Sequence, residues 1–187
     1  MTSFLFAMVA SFLAATGSRD QLLVAGLRAR LGPSLPLLGV AIGCAFATAF
    51  IAAWFGGRLA LDLSRDASTM FVAIAMLLAA FECAWPNRET TPVEPTRSLF
   101  AVALVLFLRQ LTDASRFLVA AFAVALASPM LAGAGGALGG AGAVAVGWAL
   151  GAELSSRLPL RALRLSLAAI LFLLAIWLGM TARGLIG

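Results

Sequence analysis

The sequence predicts an all-α membrane protein with six transmembrane helices, arranged as two inverted three-helix repeats. Three observations carry this. Of 187 residues, 63% are hydrophobic and 11% charged, against about 45–50% and about 25% in a soluble globular domain. A spanning helix takes about 20 mostly apolar residues, so six of them with short loops use almost the whole chain and leave no room for a soluble catalytic domain. The apolar runs are also punctuated in the same order in both halves of the chain.

The first run covers residues 3–27 and is interrupted by Gly17, Ser18, Arg19, Asp20 and Gln21; Arg28, Arg30, Gly32 and Pro33 end it. Residues 3–15 have the length of a signal-peptide core, but no arginine precedes them, so the basic leader is missing and a retained helix is expected. The second run, 34–55, is expected to stop at Gly56, Gly57 and Arg58, with a polar link over 62–66 before the third run, 67–85. Three prolines and mixed charge over 86–96 mark a solvated loop. The fourth run, 98–127, is interrupted between Arg109 and Arg116. Pro129 opens a glycine-rich fifth run ending near Glu153, and the sixth covers 160–181. The organisation is a first repeat over residues 1–86, a cytoplasmic linker over 87–97 and a second repeat over 98–187.

Leu22-Leu23-Val24-Ala25 overlays Phe117-Leu118-Val119-Ala120; Pro33 then falls near Pro129, Gly39 near Gly135, Gly43 near Gly139 and Trp54 near Trp148. An odd number of helices per half reverses the second half against the first. In transporters built this way the binding site lies where the halves meet, and interrupted helices at matching positions point to it. Arg28, Arg30, Arg88, Arg97, Arg157, Arg161 and Arg164 fall on one side, and Arg58, Arg65 and Arg183 on the other. The excess of arginine on cytoplasmic loops then puts both termini in the periplasm of a bacterial inner membrane. The pairs Gly39/Gly43, Gly135/Gly139, Gly136/Gly140 and Gly147/Gly151 allow close helix approach, within the chain or in a dimer. Cys44 and Cys83 read as small buried hydrophobes. Trp54, Trp85 and Trp148 lie near helix ends, as interfacial anchors do.

Charged residues inside apolar helices are costly and usually functional. Asp20, with Ser18, Arg19 and Gln21, and Asp113, with Arg109, Gln110, Thr112, Ser115 and Arg116, are therefore the candidate site. Glu82 and Glu153 read as interfacial, and Glu89 and Glu94 as solvated loop charges. The layout resembles the calcium/manganese–proton exchanger family, whose two three-helix halves each carry a Glu-x-Gly-Asp-(Lys or Arg)-(Thr or Ser) signature, commonly followed by Gln-Leu. In Ala15-Thr16-Gly17-Ser18-Arg19-Asp20-Gln21-Leu22 the glycine, the basic residue and Gln-Leu match, while Ala15, Ser18 and Asp20 replace the acids and the hydroxyl. In Gln110-Leu111-Thr112-Asp113-Ala114-Ser115 the Asp113 and Ser115 positions match, while Gln110, Thr112 and Ala114 depart. The resemblance implies exchange of a small cation, with Asp20 and Asp113 as metal ligands or proton carriers and Ser18, Gln21, Gln110, Thr112 and Ser115 as neutral oxygens.

The departures change the charge balance. A divalent cation in low dielectric needs several oxygens and net negative charge. The family signatures supply four carboxylates against two basic groups; here Asp20 and Asp113 face Arg19, Arg109 and Arg116. Arg109 and Arg116 stand four before and three after Asp113 and can share its helix face. Three functions stay open: transport of a small cation coupled to protons, an accessory or structural subunit of a larger membrane complex, and handling of an anionic or zwitterionic solute through Arg19 and Arg116. The partners expected are the lipid bilayer, a small cation and protons, and a second copy or other membrane subunits. No cofactor is expected. Nucleic acid is not expected either, because no basic cluster is large enough despite a pI of about 11.3. With no histidine, no phosphate-cradling loop and no nucleophile-elbow serine, enzyme chemistry is poorly supported.

Overall fold

The computed structural model describes residues 1–86 and 98–186, so the linker expected over 87–97, with Arg88, Glu89, Glu94 and Arg97, lies outside the described residues. Helices make up the fold: α1 (Thr2–Ala15), α2 (Arg19–Leu31), α3 (Leu35–Asp62), α4 (Arg65–Ala84), α5 (Leu99–Leu111), α6 (Ala114–Ala125), α7 (Pro129–Leu150), the short α8 (Leu154–Arg157) and α9 (Leu160–Ala182). Each apolar run with a polar interruption is two helices, not one. The starts follow local chemistry. Ser18, Ser34, Ser64, Ser98 and Asp113 each accept a hydrogen bond from a backbone N–H in the first turn of the helix they precede, satisfying a donor that has no intrahelical partner.

Four stretches are long and apolar enough to cross a membrane: Leu35–Asp62, Arg65–Ala84, Pro129–Arg157 and Leu160–Ala182. Helices α1, α5 and α6 are apolar but shorter. At 14 residues α1 is about 21 Å long, short of a hydrocarbon core about 30 Å thick. The surface matches such a setting: Phe46, Trp54 and Phe55 of α3, Ile74 and Phe81 of α4, and Phe172, Leu173 and Trp177 of α9 are exposed, while the interior is rich in alanine and glycine. Small residues inside and large apolar ones outside are what helix association in lipid favours, since burying Leu or Phe gains little against an equally apolar solvent.

The second run does not end at Gly56 and Gly57, as the sequence suggested; α3 continues to Asp62. These glycines serve close packing instead. A Cβ on Gly56 would sit 2.6 Å from the Ala120 carbonyl oxygen of α6, and one on Gly57 would sit 2.8 Å from Pro129. The chain turns only at Leu63, where the backbone becomes extended and Ser64 caps α4.

Two long helices serve as rails for the broken ones. Along α7, Gly135 meets Phe4, Gly139 meets Met8, Gly142 meets Phe12, Gly147 meets Gln21 and Gly151 meets Arg28. Both numberings ascend, so α1 and α2 follow one line beside α7 in the same chain direction. Along α3, the Cys44 thiol donates to the Ala103 carbonyl (3.5 Å), Thr48 bonds Arg116, and Gly56 meets Ala120. Helices α5 and α6 therefore follow α3 in the same way. Helices α4 and α9 pack antiparallel: Ala73 lies by Gly179, Glu82 by Arg164, and the Ala84 carbonyl by Arg161.

Candidate functional site at the two helix breaks

The first break lies between Ala15 and Arg19. Gly17 turns with φ +74°, where a side chain would be strained, and Ser18 caps α2. The Gly17 N–H donates to Gln21 Oε1 (2.6 Å), and Gln21 Nε2 donates to the Ala143 carbonyl of α7 (2.6 Å). Gln21 thus ties the break to its rail. Asp20 occupies the first turn of α2 and accepts from the Ser18 hydroxyl. At the second break, Asp113 is itself the cap of α6: it accepts from the Ser115 N–H (3.0 Å) and the Ser115 hydroxyl. Both carboxylates stand at helix N-termini, where the macrodipole favours negative charge. That placement offsets part of the cost of keeping a charge in an apolar layer, about 2.5–3.5 kcal/mol at a helix centre on insertion scales.

The two breaks meet. Arg19, Asp20, Arg109, Thr112, Asp113 and Glu82 line one cavity of about 30 Å³. Asp20, Asp113 and Glu82 are buried, whereas Arg19 and Thr112 reach the surface. Glu82 comes from α4, and Arg164 of α9 holds it: Nη2 lies 2.8 Å from Glu82 Oε2 and 2.9 Å from the Glu82 carbonyl oxygen, and Nη1 donates to the Ala14 carbonyl (3.4 Å). Arg19 stands 3.7 Å from Glu82 Oε1. Formal charge around the cavity thus balances, with three acids against Arg19, Arg109 and Arg164.

Five residues singled out by the sequence do not line the cavity. Ser18 and Ser115 hydrogen-bond the aspartates from behind, and Gln21 faces α7. Gln110 is fully buried on the face of α5 that also carries Val102 and Leu106, and neither atom of its amide has a hydrogen-bond partner among the described residues. Arg116 turns away from Asp113: Nε donates to Thr48 Oγ1 (2.9 Å) and Nη1 to the Gly136 carbonyl (3.4 Å). Among the described residues, neither aspartate forms an ion pair within 4 Å, and no group of three His, Cys, Asp or Glu side chains is placed to hold a metal ion.

Glu82 is the residue that sequence reasoning missed. It read as interfacial, yet it is buried and faces both breaks. The available signal was Arg164, a second charge lying just inside the sixth apolar run at the same end of the bundle. Glu153, by contrast, is exposed and pairs with Arg157 one turn on (2.6 Å).

Comparison of the chain with protein-family models, curated proteins and solved structures found no match. Fold and site together define the class: an all-α protein with helices long and apolar enough to cross a bilayer and a small charged cavity where two helix breaks meet.

Proposed function

We propose that the chain is a multi-pass inner-membrane protein of two inverted three-helix repeats that exchanges a small cation for protons at the cavity between its helix breaks. The observation that carries this reading is that Asp20 and Asp113, from two separate breaks, line one cavity. The packing supports the inversion. Short turns reverse the chain between α2 and α3 and between α6 and α7. Because α1–α2 follows α7 and α5–α6 follows α3, the two broken pairs point in opposite directions, as inverted repeats require. Each pair then counts as one crossing, giving six.

Size and charge narrow the cargo. A cavity of about 30 Å³ holds about one water molecule. It fits a proton or a dehydrated ion and excludes organic anions and zwitterions. Arg164 pairs with Glu82 in the buried ion pair, whereas neither aspartate forms an ion pair within 4 Å among the described residues, so Asp20 and Asp113 are the exchangeable groups. Two carboxylates carry two protons in one direction, or one divalent cation in the other with the Thr112 hydroxyl as a further oxygen ligand. The resemblance to calcium/manganese–proton exchangers favours the divalent cargo. The test is Mn²⁺ and Ca²⁺ uptake into liposomes holding the purified protein under a pH gradient. Asp20→Asn and Asp113→Asn are expected to lower flux by an order of magnitude or more while Glu153→Gln leaves it intact; an unchanged rate in Asp113→Asn overturns the reading.

The alternative, an accessory subunit without transport, is favoured by two buried contacts. The buried Glu82–Arg164 pair and the Arg116–Thr48 contact lock helix register in the way a structural part requires. No flux of any cation, together with stoichiometric co-purification of other membrane subunits, would establish that reading instead.

A further inference from the structure

A second site lies outside the charged cavity, at the start of α9. The α8–α9 connection and the first break enclose a groove of about 450 Å³ lined by Gly17, Leu22, Leu158, Leu160, Arg161 and Arg164 among others, and no acid among the described residues lines it. Helix α9 begins after Pro159 with no side-chain cap. Among the described residues the amides of Arg161 and Ala162 have no acceptor, so they present N–H groups at the positive end of a 23-residue helix. Arg164 supplies an independent observation. It is 3% exposed, and its Nε has no hydrogen-bond partner although both Nη atoms are engaged. Arg161 donates through Nη1 to the Ala84 and Trp85 carbonyls (2.9 and 3.3 Å), which fixes its guanidinium at the rim and leaves the rest of the fork for a ligand.

Exposed first-turn amides, the buried Arg164 and the exposed Arg161 together form an anion site at this helix N-terminus. Its position selects among anions. The groove lies at the end of the bundle where Arg161 meets the α4 C-terminus, and Leu22, Leu158 and Leu160 line its walls. Phosphate against arginine with acyl chain against leucine is the chemistry of an anionic phospholipid, which basic pockets between helices on a cytoplasmic face recognise. We infer that this groove binds the headgroup of an anionic phospholipid, with its phosphate on the α9 N-terminus and Arg161.

The test uses the full-length protein in detergent micelles doped with phosphatidylglycerol or phosphatidylcholine, with bound lipid counted by native mass spectrometry and stability read by thermal unfolding. The wild type is expected to retain phosphatidylglycerol about five-fold better than phosphatidylcholine and to melt higher with it. Arg161→Gln and Ala162→Glu are each expected to remove the preference, and Arg183→Gln, at the opposite end, to keep it. Ala162→Glu keeps the test decisive should Arg161→Gln misfold, because an acid in a first helical turn is favoured by the dipole while it occupies the phosphate position. A preference that survives both groove variants overturns the assignment. Equal stabilisation by inorganic phosphate at the same concentration overturns the lipid as its source.

Discussion

Glu82 and Arg164 show how much one buried pair can carry. Their side chains are 10% and 3% exposed, and besides each other they bond only to nearby backbone and, weakly, to Arg19. Removing one partner of a buried pair leaves the other charge uncompensated, which costs about 3–5 kcal/mol. Glu82→Gln is therefore expected to lower stability by about that much in reversible unfolding by denaturing detergent. Glu153→Gln breaks a pair that is 60% and 65% exposed and is expected to cost less than about 1 kcal/mol. The double variant Glu82→Gln/Arg164→Met is expected to cost less than the sum of its single variants, because the two residues share one interaction; additive costs would show that the pair is not a unit. Legibility at this scale divides along the same line. Asp20 and Asp113 stood out because a charge inside an apolar run is visible in one dimension. Glu82 did not, because its meaning depends on a residue 82 positions away, brought close only by the antiparallel packing of α4 on α9.

At the scale of elements, the glycine pairs that look alike in the sequence serve different surroundings. A Cβ on Gly135 would lie 2.1 Å from the Phe4 carbonyl oxygen, and one on Gly139 would lie 2.2 Å from that of Met8. Backbone atoms cannot step aside, so α1 would have to move off α7. Gly39 and Gly43 on α3 have nothing within 4 Å. Gly139→Ala is expected to destabilise by about 1–3 kcal/mol as overpacking. Gly43→Ala is expected to stabilise by about 0.5–1 kcal/mol, because alanine loses less backbone freedom in a helix. Equal effects at the two sites in the same unfolding assay would contradict the packing described. The sequence showed the small-residue spacing but not which face meets a neighbour, since spacing repeats along a helix whereas contact is decided by the other helix. The same limit explains Gly56 and Gly57, which resemble a helix end and are a crossing point. The polar interruptions were legible as breaks. That each separates two capped helices became visible only from Ser18 and Asp113 accepting first-turn amides.

For the whole molecule, the distribution of arginine yields a testable orientation. Packing gathers Arg28, the Trp148 ring beneath it, and the Ser34 carbonyl bonded by Trp148 at one end of the bundle, with Arg161 on the α4 C-terminus. Arg58, stacked on Trp54, Arg65 and Arg183 lie toward the other end, where Gly57 meets Pro129. Short loops rich in arginine stay cytoplasmic, and acidic residues such as Asp62 and Asp66 weigh little in that choice. The end carrying Arg28, Arg157 and Arg161 is therefore expected in the cytoplasm and the chain termini in the periplasm. Cys44 and Cys83 are buried, so the native background to thiol labelling is low. A membrane-impermeant maleimide on intact cells is expected to label Leu185→Cys, whose parent residue is 70% exposed, and to reach Ser156→Cys only after permeabilisation. The reverse pattern would invert the topology and place the groove at α9 on the periplasmic face. Labelling of both positions in intact cells would put both ends on one side of the membrane. That outcome would rule out an odd number of crossings between Ser156 and Leu185, and with it the spanning role of α9 on which the proposed six-crossing architecture depends.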